Sequence, residues 1–516
     1  MVQEPTQLDG YVRPGVFDEV YDADGNTRTH YADLMEMFAG LEPEEFAARA
    51  DARDQAFQDQ GITFSFAGEE RPFPLDLVPR IIPAEEWSRI EAGVRQRVRV
   101  LEAFLDDIYG VGEILHAGVV PRRLIYSSAH FSRAAMGIQP PNGVRIQVAG
   151  IDLVRDAFGE YRVLEDNLRV PSGVSYVISN RRAMTHVFPE LFTSHRVRRV
   201  AEYPTRLFEA LRAAAPTHAT DPVIAVLTPG IHNAAYFEHT FLARGMGVEL
   251  VEGRDLVCRE DVVYMRTTEG EQRVDVLYRR VDDEFLDPLH FRGDSMLGSP
   301  GLLNAARAGN ITITNAVGNG IADDKLVYSY LPAMTRFYFD ESPILPNVET
   351  YRLEDPEMRA YALAHAAELV FKPTDASGGN GVLIGPQASR EQLAANQACV
   401  EADPRGWIAQ DLVMLSTSPT YVDGTLAPRH IDLRPFAIND GRDIWVLPGG
   451  LTRVALPEGS LIVNSSQGGG SKDTWVLAEE DEVSFADANR PSRILHTPIM
   501  RGVRAPAPPF VQAGQQ

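Results

Sequence analysis

Cysteine is nearly absent from this chain of 516 residues, which contains only two cysteines. Cys258 and Cys399 form no Cys-x-x-Cys pair and have no histidine-rich surroundings, so a zinc motif and a disulfide scaffold are both excluded. Positive charge is also scarce, because 49 Lys and Arg residues face 72 Asp and Glu residues and give a formal net charge of −23. Since no basic run offsets this charge, nucleic acid and anionic membrane surfaces are not expected as partners.

A long hydrophobic run is missing as well. No segment approaches the roughly 18 apolar residues of a membrane span, and the first ten residues contain neither a basic nor an apolar stretch. With 44% hydrophobic and 23% charged residues, the composition is that of an ordinary globular protein. We therefore expect a cytoplasmic protein with no membrane partner, and the length predicts about three domains.

The first half of the chain alternates helical and strand-like patterns. Helical periodicity runs from Trp87 to Ile108 and ends at Gly110. From Pro222 onwards, the strand-like VIAVLTP, the helical AAYFEHTFLARGMG and the strand-like VELVEG form a βαβ pattern. This pattern predicts an α/β fold with a parallel, Rossmann-like sheet that binds ligands at the carboxyl ends of its strands.

The segment GIDLVRDAFGEYRVLEDNLRVPSG carries a cluster of oxygen-bearing side chains. If its two strands turn at the central Phe-Gly pair, Asp152 faces Glu165 directly across the hairpin, and Asn167 lies on the same face. Opposed carboxylates repel each other unless a cation lies near them, and an Asp, Glu and Asn set suits a hard cation such as Mg²⁺. The alternative is that these residues are solvated on an exposed strand face.

A second candidate site lies in ELVFKPTDASGGNGVLIG, where two strand-like segments flank a glycine-rich loop. Gly378, Gly379 and Gly381 would let backbone N–H groups approach phosphate oxygens closely. Lys372, at the end of the first strand, would add a positive charge for the same phosphates. The loop is not a P-loop, because no Gly-Lys-Ser/Thr opens a helix, and an ordinary flexible turn remains the alternative.

These two segments resemble parts of the ATP-grasp ligases. Asp152, followed by Glu165-x-Asn167 and then by Pro171-x-Gly173, resembles the metal-binding hairpin of that family. The Lys-Pro pair before the glycine-rich loop resembles the family's phosphate lid. The resemblance implies that the Asp, Glu and Asn of the hairpin bind Mg²⁺ and that the lysine and the glycines bind ATP.

The same resemblance extends to two further segments. Lys325, in IADDKLV, resembles the lysine at the family's Asp-Lys helix start and would contact the phosphates. Alternatively, Asp323 or Asp324 caps the helix and the lysine is merely solvated. Gln410, in GWIAQDLV, stands in a strand that resembles the hinge that holds adenine, at a position where many relatives have Glu.

Three later residues resemble those of the ribosomal-protein glutamate ligases, another ATP-grasp group. By that resemblance Arg434, Arg453 and Asn464 would face the triphosphate and the acyl phosphate, although a paired surface residue is the more common state of an arginine. In several relatives a further arginine stands two residues before the metal-binding Asp, where this chain has Gly150. Arg155 or Arg169 is the expected replacement.

The pieces occur in a permuted order, because the metal hairpin precedes both the βαβ unit and the two lysines. The whole pattern, from Tyr21 to Leu477, resembles the circularly permuted ATP-grasp family, which is related to glutathionylspermidine synthetases. This implies ATP-grasp lobes around a Rossmann-like pre-ATP-grasp domain, with one lobe built from both ends of the chain. The expected divisions are an N-terminal cap and strap (1–85), a portion of the ATP-grasp C-lobe with the metal hairpin (86–200), the pre-ATP-grasp domain (201–320), the nucleotide-binding lobe with central strands (321–480) and a C-terminal tail (481–516).

The resemblance implies an enzyme that uses ATP and Mg²⁺ to activate a substrate carboxylate as an acyl phosphate and joins it to an amine, or to a thiol. The expected partners are small-molecule or peptide carboxylates and amines, bound between the loop of His232 and Asn233 and the segment of Arg280 and Asp282. The last two residues could instead form a structural ion pair. Two other functions remain open, namely phosphotransfer without ligation and a non-catalytic nucleotide-binding scaffold.

Overall fold

The computed structural model describes residue 11 and residues 15–66, 69–375, 381–463 and 469–479 of the chain. Its α-helices are α1 (Ala32–Ala39), α2 (Pro43–Asp59), α3 (Ala84–Tyr109), α4 (Glu113–His116), α5 (Arg122–Tyr126), α6 (Val174–Val187), α7 (Leu191–Ser194), α8 (Tyr203–Ala213), α9 (Tyr236–Met246), α10 (Asp283–Leu286), α11 (Leu302–Arg307), α12 (Gly320–Asp323), α13 (Lys325–Tyr328), α14 (Leu331–Phe339), α15 (Pro356–Ala364) and α16 (Arg390–Ala402). Short 3₁₀ helices lie at Thr29–Tyr31, Arg133–Ala135, Gly253–Asp255, Gly385–Gln387 and Pro404–Gly406.

The strands form several separate sheets. They are β1 (Thr63–Phe66), β2 (Glu69–Pro72), β3 (Leu75–Ile82), β4 (Val148–Arg155), β5 (Tyr161–Asn167), β6 (Ile224–Leu227), β7 (Glu249–Val251), β8 (Leu256–Arg259), β9 (Val262–Thr267), β10 (Gly270–Arg273), β11 (Val276–Arg279), β12 (Thr312–Thr314), β13 (Thr350–Arg352), β14 (Leu369–Pro373), β15 (Leu383–Ile384), β16 (Trp407–Asp411), β17 (Thr417–Val422), β18 (Thr425–His430), β19 (Phe436–Asn439), β20 (Ile444–Val446), β21 (Thr452–Val454) and β22 (Gly470–Val476).

The predicted βαβ unit is confirmed as part of a four-stranded parallel sheet with the strand order β12-β11-β6-β7. Helix α9 connects β6 to β7 and is followed by Gly247, whose φ of 71° is the left-handed conformation that favours glycine after a helix. The side chains of β6 alternate between two cores, with Ala225 and Leu227 in one and Ile224 and Val226 in the other. Both faces of this sheet are therefore covered, as is usual for parallel sheets.

The sheet that contains the candidate metal hairpin draws its strands from distant parts of the chain. Its order is β20-β19-β4-β5, so β19 pairs with a strand that begins at residue 148. A second sheet has the order β21-β22-β3, in which the predicted strap, β3, pairs in parallel with β22. Both sheets join early and late segments of the chain, which is the arrangement that the permuted order implies.

Helix α3 packs against the sheet that contains the candidate metal hairpin. The predicted helix is confirmed, and it spans Ala84–Tyr109 between Pro83 and Gly110. At its N-terminal end it is about one turn longer than the predicted range. Its apolar side contacts β19, β20 and α14.

Among the helices of the described residues, none combines the length and the apolar character needed to cross a membrane.

A small sheet with the order β13-β16-β14-β15 carries two of the candidate nucleotide-binding residues. One face of this sheet, which includes Phe371 and Ala409, packs with residues of α15 and α16 in a small core. Lys372 and Gln410 are the next residues along β14 and β16, so they point to the opposite face. The small lobe therefore presents both side chains away from its own core.

Candidate active site

The hairpin of β4 and β5 positions the candidate metal ligands. Asp152 pairs directly with Glu165, in the predicted register, and Asn167 lies two residues further along on the same face. Nearer the turn the strands are paired one residue out of that register, and a bulge at Leu164 restores it beside Asp152. Bulges bend a strand and redirect side chains next to functional sites, and this bulge lies beside the candidate metal ligands.

Asp152 is buried and is held by two neighbours. Arg434 Nη1 lies 2.8 Å from its Oδ2, and Asn167 Nδ2 donates a hydrogen bond of 3.2 Å to its Oδ1. Burial raises the pKa of Asp152 and the Glu165 carboxylate raises it further, while Arg434 opposes both effects. Arg434 thus supplies the positive charge that two opposed carboxylates need in order to remain close.

The charges of the two candidate phosphate-binding lysines act on Glu165. Burial acts to raise its pKa, but Lys325, Lys372 and Arg434 outweigh burial and hold the pKa of Glu165 below its usual range. Burial in turn lowers the pKa of Lys372 to about 8, a decrease that Lys325 increases and Glu165 opposes. The two lysines and Glu165 therefore act on one another, and we call these three residues the lysine cluster.

Asp324 caps the short helix that begins at Lys325. Its Oδ1 accepts the backbone N–H of Leu326 at 2.9 Å, and its Oδ2 accepts a hydrogen bond from Arg405 Nη2 at 3.0 Å. The capping alternative is therefore correct for this aspartate. Lys325 is nevertheless more than a solvated residue, because its charge acts on Glu165.

A cavity of about 250 Å³, which we call the first cavity, opens beside the hairpin. Asp152 and Asn167 line one part of it, and Arg169, Arg434 and Arg453 also contribute to its wall. Carboxylates that suit a cation and guanidinium groups that suit an anion thus border one space. Such a space can hold a phosphorylated anion together with a metal ion.

Asp432 fixes two of these arginines. Its Oδ2 accepts a hydrogen bond from Arg434 Nε at 2.9 Å, and its Oδ1 accepts the backbone N–H of Arg453 at 3.0 Å. Burial lowers the pKa of Arg453 to about 10, and the nearby Arg434 contributes to that decrease. The sequence carries a signal for Asp432, because it precedes Arg434 by two residues and a strand places residues at that spacing on the same face.

Of the two arginines expected to replace the missing one, Arg169 lines the first cavity and Arg155 does not. Arg169 Nε donates a hydrogen bond of 2.9 Å to Asp323. Arg155 instead forms ion pairs of 2.9 Å with Glu19 and 2.8 Å with Glu86. The structure does not support the catalytic role predicted for Arg155, because carboxylates outside the cavity engage its guanidinium group and tie the hairpin to the N-terminal segment and to α3.

Gly150 has a steric reason to replace the arginine that several relatives carry there. A Cβ atom at this position would lie 3.1 Å from the Cβ of Pro171 and 3.7 Å from a ring carbon of Phe436. A larger side chain at this position would require the turn after the hairpin to move by a few tenths of an ångström. Arg169, which also lines the first cavity, can supply a positive charge to it in place of an arginine at position 150.

That turn is held by a buried ion pair that the sequence did not reveal. Glu238 Oε2 accepts the backbone N–H of Gly173 at 2.7 Å, and Glu238 Oε1 pairs with Arg280 Nη2 at 3.0 Å. Arg280 Nη1 also donates to the carbonyl oxygen of Pro171 at 2.7 Å. Arg280 is thus structural, but its partner is Glu238 of α9, whereas Asp282 lines the first cavity.

Gln410 is buried on β16, and only one end of its amide is bonded. Its Nε2 donates to Thr350 Oγ1 at 3.0 Å, while its Oε1 has no hydrogen-bond partner among the described residues. A buried acceptor without a donor fits a ligand such as the exocyclic amino group of adenine. His232 and Asn233, by contrast, are exposed on the loop before α9 and do not line the first cavity.

Three predicted residues, Gly378, Gly379 and Asn464, lie outside the described residues, so their roles remain predictions. Gly381 is described and has a φ of 72°, in the left-handed region that favours glycine. A Cβ atom there would lie 2.9 Å from Cγ of Pro373. Glycine is therefore required where this segment approaches the Lys-Pro end of β14.

The candidate ligand set fits Mg²⁺ in its chemistry but does not enclose a metal by itself. Within the described ranges, no three His, Cys, Asp or Glu side chains group as a metal site. Two carboxylates and one amide are available, and Mg²⁺ characteristically combines such oxygens with phosphate oxygens. Asp152 Oδ2 is buried and, in the described part of the chain, has an ion contact with Arg434 but no hydrogen-bond donor. The set therefore suits a metal whose coordination a nucleotide completes.

The scarcity of lysine is a further signal in the sequence. The chain has only three lysines, Lys325, Lys372 and Lys472, and arginine occupies all other basic positions. Two of the three act on Glu165, and the third is buried in an ion pair with Asp76. Lysine and arginine are not interchangeable, since an ammonium is a compact charge on a flexible stem. Lysine in a chain that otherwise uses arginine thus indicates positions with a specific chemical requirement.

Comparisons with known proteins indicate the family of this chain. A family model described as circularly permuted ATP-grasp type 2 matches residues 79–455. The chain is 62% identical to an uncharacterized protein of Mycobacterium tuberculosis over 462 aligned residues, and these residues cover 90% of this chain and 84% of that relative. A Frankia casuarinae protein provisionally named glutamate–cysteine ligase 2-2 is 47% identical over 476 residues, which cover 92% of this chain and 55% of that relative.

Similarity in fold extends to solved structures. A glutathione synthetase-like effector from Globodera pallida, solved without ligand, matches with a TM-score of 0.58 over 85% of this chain and 98% of its own chain. The two sequences are only 12% identical, so this similarity concerns the fold alone.

Proposed function

This chain belongs to the circularly permuted ATP-grasp type 2 family, and on that premise we propose that it is an ATP-dependent carboxylate–amine ligase. The γ-phosphoryl group of ATP is transferred to a substrate carboxylate, which gives an acyl phosphate and ADP. An amine then attacks the acyl carbon, forms an amide bond and releases inorganic phosphate and a proton. Phosphoryl transfer of this kind depends on positioning and charge stabilisation more than on covalent chemistry by the protein.

The observation that carries the proposal is that the lysine cluster includes a carboxylate of the hairpin, Glu165, opposite Asp152. Asp152 and Glu165 come from one hairpin, Lys325 from the start of α13 and Lys372 from β14. Charged side chains that are buried together cost free energy unless all of them are well paired. A bound polyanion with its divalent cation would offset that cost, which gives this arrangement a functional reason.

The residues divide by charge between the metal and the nucleotide. Asp152, Glu165 and Asn167 would hold Mg²⁺, which when bound supplies positive charge to phosphate oxygens. Lys325 and Lys372 would contact the phosphates directly with their ammonium groups. A nucleotide bound here would therefore meet cationic groups at its phosphates, despite the negative charge of the whole chain.

The remaining residues would stabilise the reacting groups and orient the base. Arg434, Arg453 and Arg169 would face the negative charge that develops during transfer and in the acyl phosphate. Gln410 would accept a hydrogen bond from the adenine amino group through its unbonded Oε1. The glycine-rich segment that ends near Gly381 would cover the phosphates with backbone N–H groups.

The experiment that tests the proposal is a screen for ADP formation with pairs of amino acids, short peptides and polyamines, followed by mass spectrometry. The name of the Frankia relative makes glutamate with cysteine the first pair to try. We expect ADP only when both a carboxylate and an amine are present, and a product whose mass is their sum less one water. ADP with a stable phosphorylated product would favour phosphotransfer, while no ADP and no effect of Mg·ATP on the melting temperature would favour a scaffold.

A further inference from the structure

A second cavity, of about 100 Å³, adjoins the first cavity. Its wall is mostly apolar and includes Phe73, Tyr176, Ala234, Ala235 and Leu451. The rings of Phe73 and Tyr176 are stacked with their centroids 4.1 Å apart, so this wall is fixed by aromatic packing. The second cavity is therefore built for a non-polar group.

The two cavities share part of their lining. Ser172 and Arg453 border both of them, so a ligand that passes these residues occupies both spaces. Glu238 also borders the second cavity, but its carboxylate already accepts hydrogen bonds from Gly173 and Arg280. Arg453 is the cationic group at the boundary of the two cavities, and a guanidinium group suits a carboxylate.

The charges of the first cavity suggest which reactant enters the second one. Asp282 and Asp323 line only the first cavity, where both pair with Arg169, at 3.6 Å and 2.9 Å. The two aspartates outnumber that arginine and the Asp282 side chain is 44% exposed, so this side of the cavity favours a cationic amine. Arg453 borders both cavities and attracts a carboxylate instead. The chain attached to that carboxylate would extend into the apolar space.

We propose that the second cavity holds the non-polar side group of the carboxylate that is activated, with the carboxylate itself in the first cavity beside Arg453. This inference rests on the proposed function and adds a substrate class to it. A cavity of about 150 Å³ is large enough for a benzene ring, so a space of this smaller size suits a branched aliphatic group of about four or five carbon atoms. Each buried methylene strengthens binding by about fourfold.

Binding of a graded series of carboxylates tests the proposal without requiring turnover. The probes are acetate, butyrate, 4-methylpentanoate and 5-phenylpentanoate, measured by ligand-observed NMR on the full chain with Mg²⁺ and a non-hydrolysable ATP analogue. A matching series of ethylamine, butylamine and 3-methylbutylamine tests whether the amine occupies the space instead. We expect the affinity to rise about fourfold with each added carbon up to 4-methylpentanoate and to fall for 5-phenylpentanoate.

Two variants change the size of the cavity in opposite directions. Ala235→Leu fills it, and the φ of −94° at this position is compatible with leucine. Leu451→Ala enlarges it and removes only a side chain, because the backbone bridge of Leu451 to Arg434 remains. Ala402→Leu, at the exposed end of α16, is the matched control for an added leucine.

We expect Ala235→Leu to weaken 4-methylpentanoate about tenfold and to leave acetate unchanged, since only the longer chain needs the filled space. Leu451→Ala should improve 5-phenylpentanoate relative to 4-methylpentanoate, and Ala402→Leu should behave as the wild type. Equal affinity for acetate and 4-methylpentanoate in the wild type, an equal loss for both in Ala235→Leu, or chain-length dependence in the amine series alone would each overturn the proposal.

The failure of the ligase proposal would look different. If the carboxylate series binds as expected but no carboxylate and amine pair supports ADP formation, the second cavity keeps its ligand class and the ligase reaction is rejected. If ADP and an amide form without any effect of chain length, the ligase reaction stands and the assignment of the second cavity is rejected.

Discussion

Asp152 and Glu165 face each other across the β4–β5 hairpin, although neighbouring carboxylates on paired strands repel each other. The pair is tolerated because Arg434 contacts Asp152, while Lys325 and Lys372 act on Glu165. Each carboxylate therefore has its own cationic neighbour before any ligand binds. The hairpin thus lies between the residues proposed for the metal and the lysines proposed for the phosphates.

The first prediction concerns Glu165→Gln. The substitution removes one of the two carboxylates proposed for the metal and the anionic partner of both lysines, so we expect the affinity for ATP in the presence of Mg²⁺ to fall by at least about tenfold. The rise in melting temperature on adding Mg·ATP should shrink with it. Glu160→Gln is the matched control, because Glu160 lies in the same hairpin and forms an exposed ion pair of 2.9 Å with Arg89. An unchanged Mg·ATP response in Glu165→Gln would contradict the site.

The second prediction uses the scarcity of lysine. Reductive methylation at pH 8 should modify Lys372 first, because burial lowers its pKa to about 8 and leaves more of its amine neutral. Mg·ATP should protect both Lys372 and Lys325, whereas Lys472, which is buried against Asp76, should stay unmodified throughout. Peptide mass spectrometry gives the extent of labelling at each lysine. Labelling of Lys372 and Lys325 at the same rate with and without Mg·ATP would argue against their contact with phosphates.

The third prediction concerns the ion pair under the Pro-x-Gly turn. Arg280→Met leaves the buried Glu238 without its cation, which typically costs about 3–5 kcal/mol, so the melting temperature should fall by several degrees. Arg259→Met is the control, since Arg259 pairs with Glu271 on the surface, where such pairs contribute about 0–1 kcal/mol. Equal melting temperatures for the two variants would show that Glu238 does not depend on Arg280.

The fourth prediction concerns the pH dependence of stability. Burial raises the pKa of Glu102 to about 7, although its carboxylate accepts the backbone N–H groups of Arg145 and Ile146 at 2.6 Å and 2.9 Å. The charge of Arg145 opposes the rise and that of Asp106 adds to it. The folded state therefore holds this proton more tightly than the unfolded state, so Glu102 lowers stability as the pH rises from about 4.5 to about 7.

Glu102→Gln should remove this contribution, which amounts to about 3 kcal/mol across that range. The melting temperature of the wild type should accordingly fall more between pH 5 and pH 7.5 than that of Glu102→Gln, whatever the absolute stability of the variant. Glu44→Gln, an exposed change in α2, is the control and should follow the wild type. Parallel pH profiles for the wild type and Glu102→Gln would contradict the prediction.

The local features of the fold were readable from the sequence. The helix after Pro83, the βαβ unit and the opposition of Asp152 and Glu165 all follow from periodicity or from a turn, and each involves residues close in the chain. The resemblance to the circularly permuted ATP-grasp family and the permuted α/β fold are confirmed by the family match and the similar fold. The domain boundaries stay predictions.

The partners of individual side chains were not readable, because they come from distant segments. Arg155 forms ion pairs with Glu19 and Glu86, which lie far from it in sequence. Its position on the hairpin therefore does not indicate that its side chain lies outside the first cavity. The same is true of Glu238 and Arg280, whose pairing depends on how α9 packs near the turn after the hairpin. Strand periodicity predicts the face of the sheet on which a side chain lies, but it does not predict which charged residue of a distant segment pairs with that side chain.

The most direct test of the central claim follows the oxygen atoms of the substrate carboxylate. With a carboxylate labelled by ¹⁸O at both oxygens, ligation through an acyl phosphate predicts that inorganic phosphate carries one ¹⁸O and the amide product retains the other. Mass spectrometry of the phosphate released with ADP measures this transfer. Phosphate with no ¹⁸O, while ADP and product still accumulate, would contradict the account, because the carboxylate would then never have received the phosphoryl group.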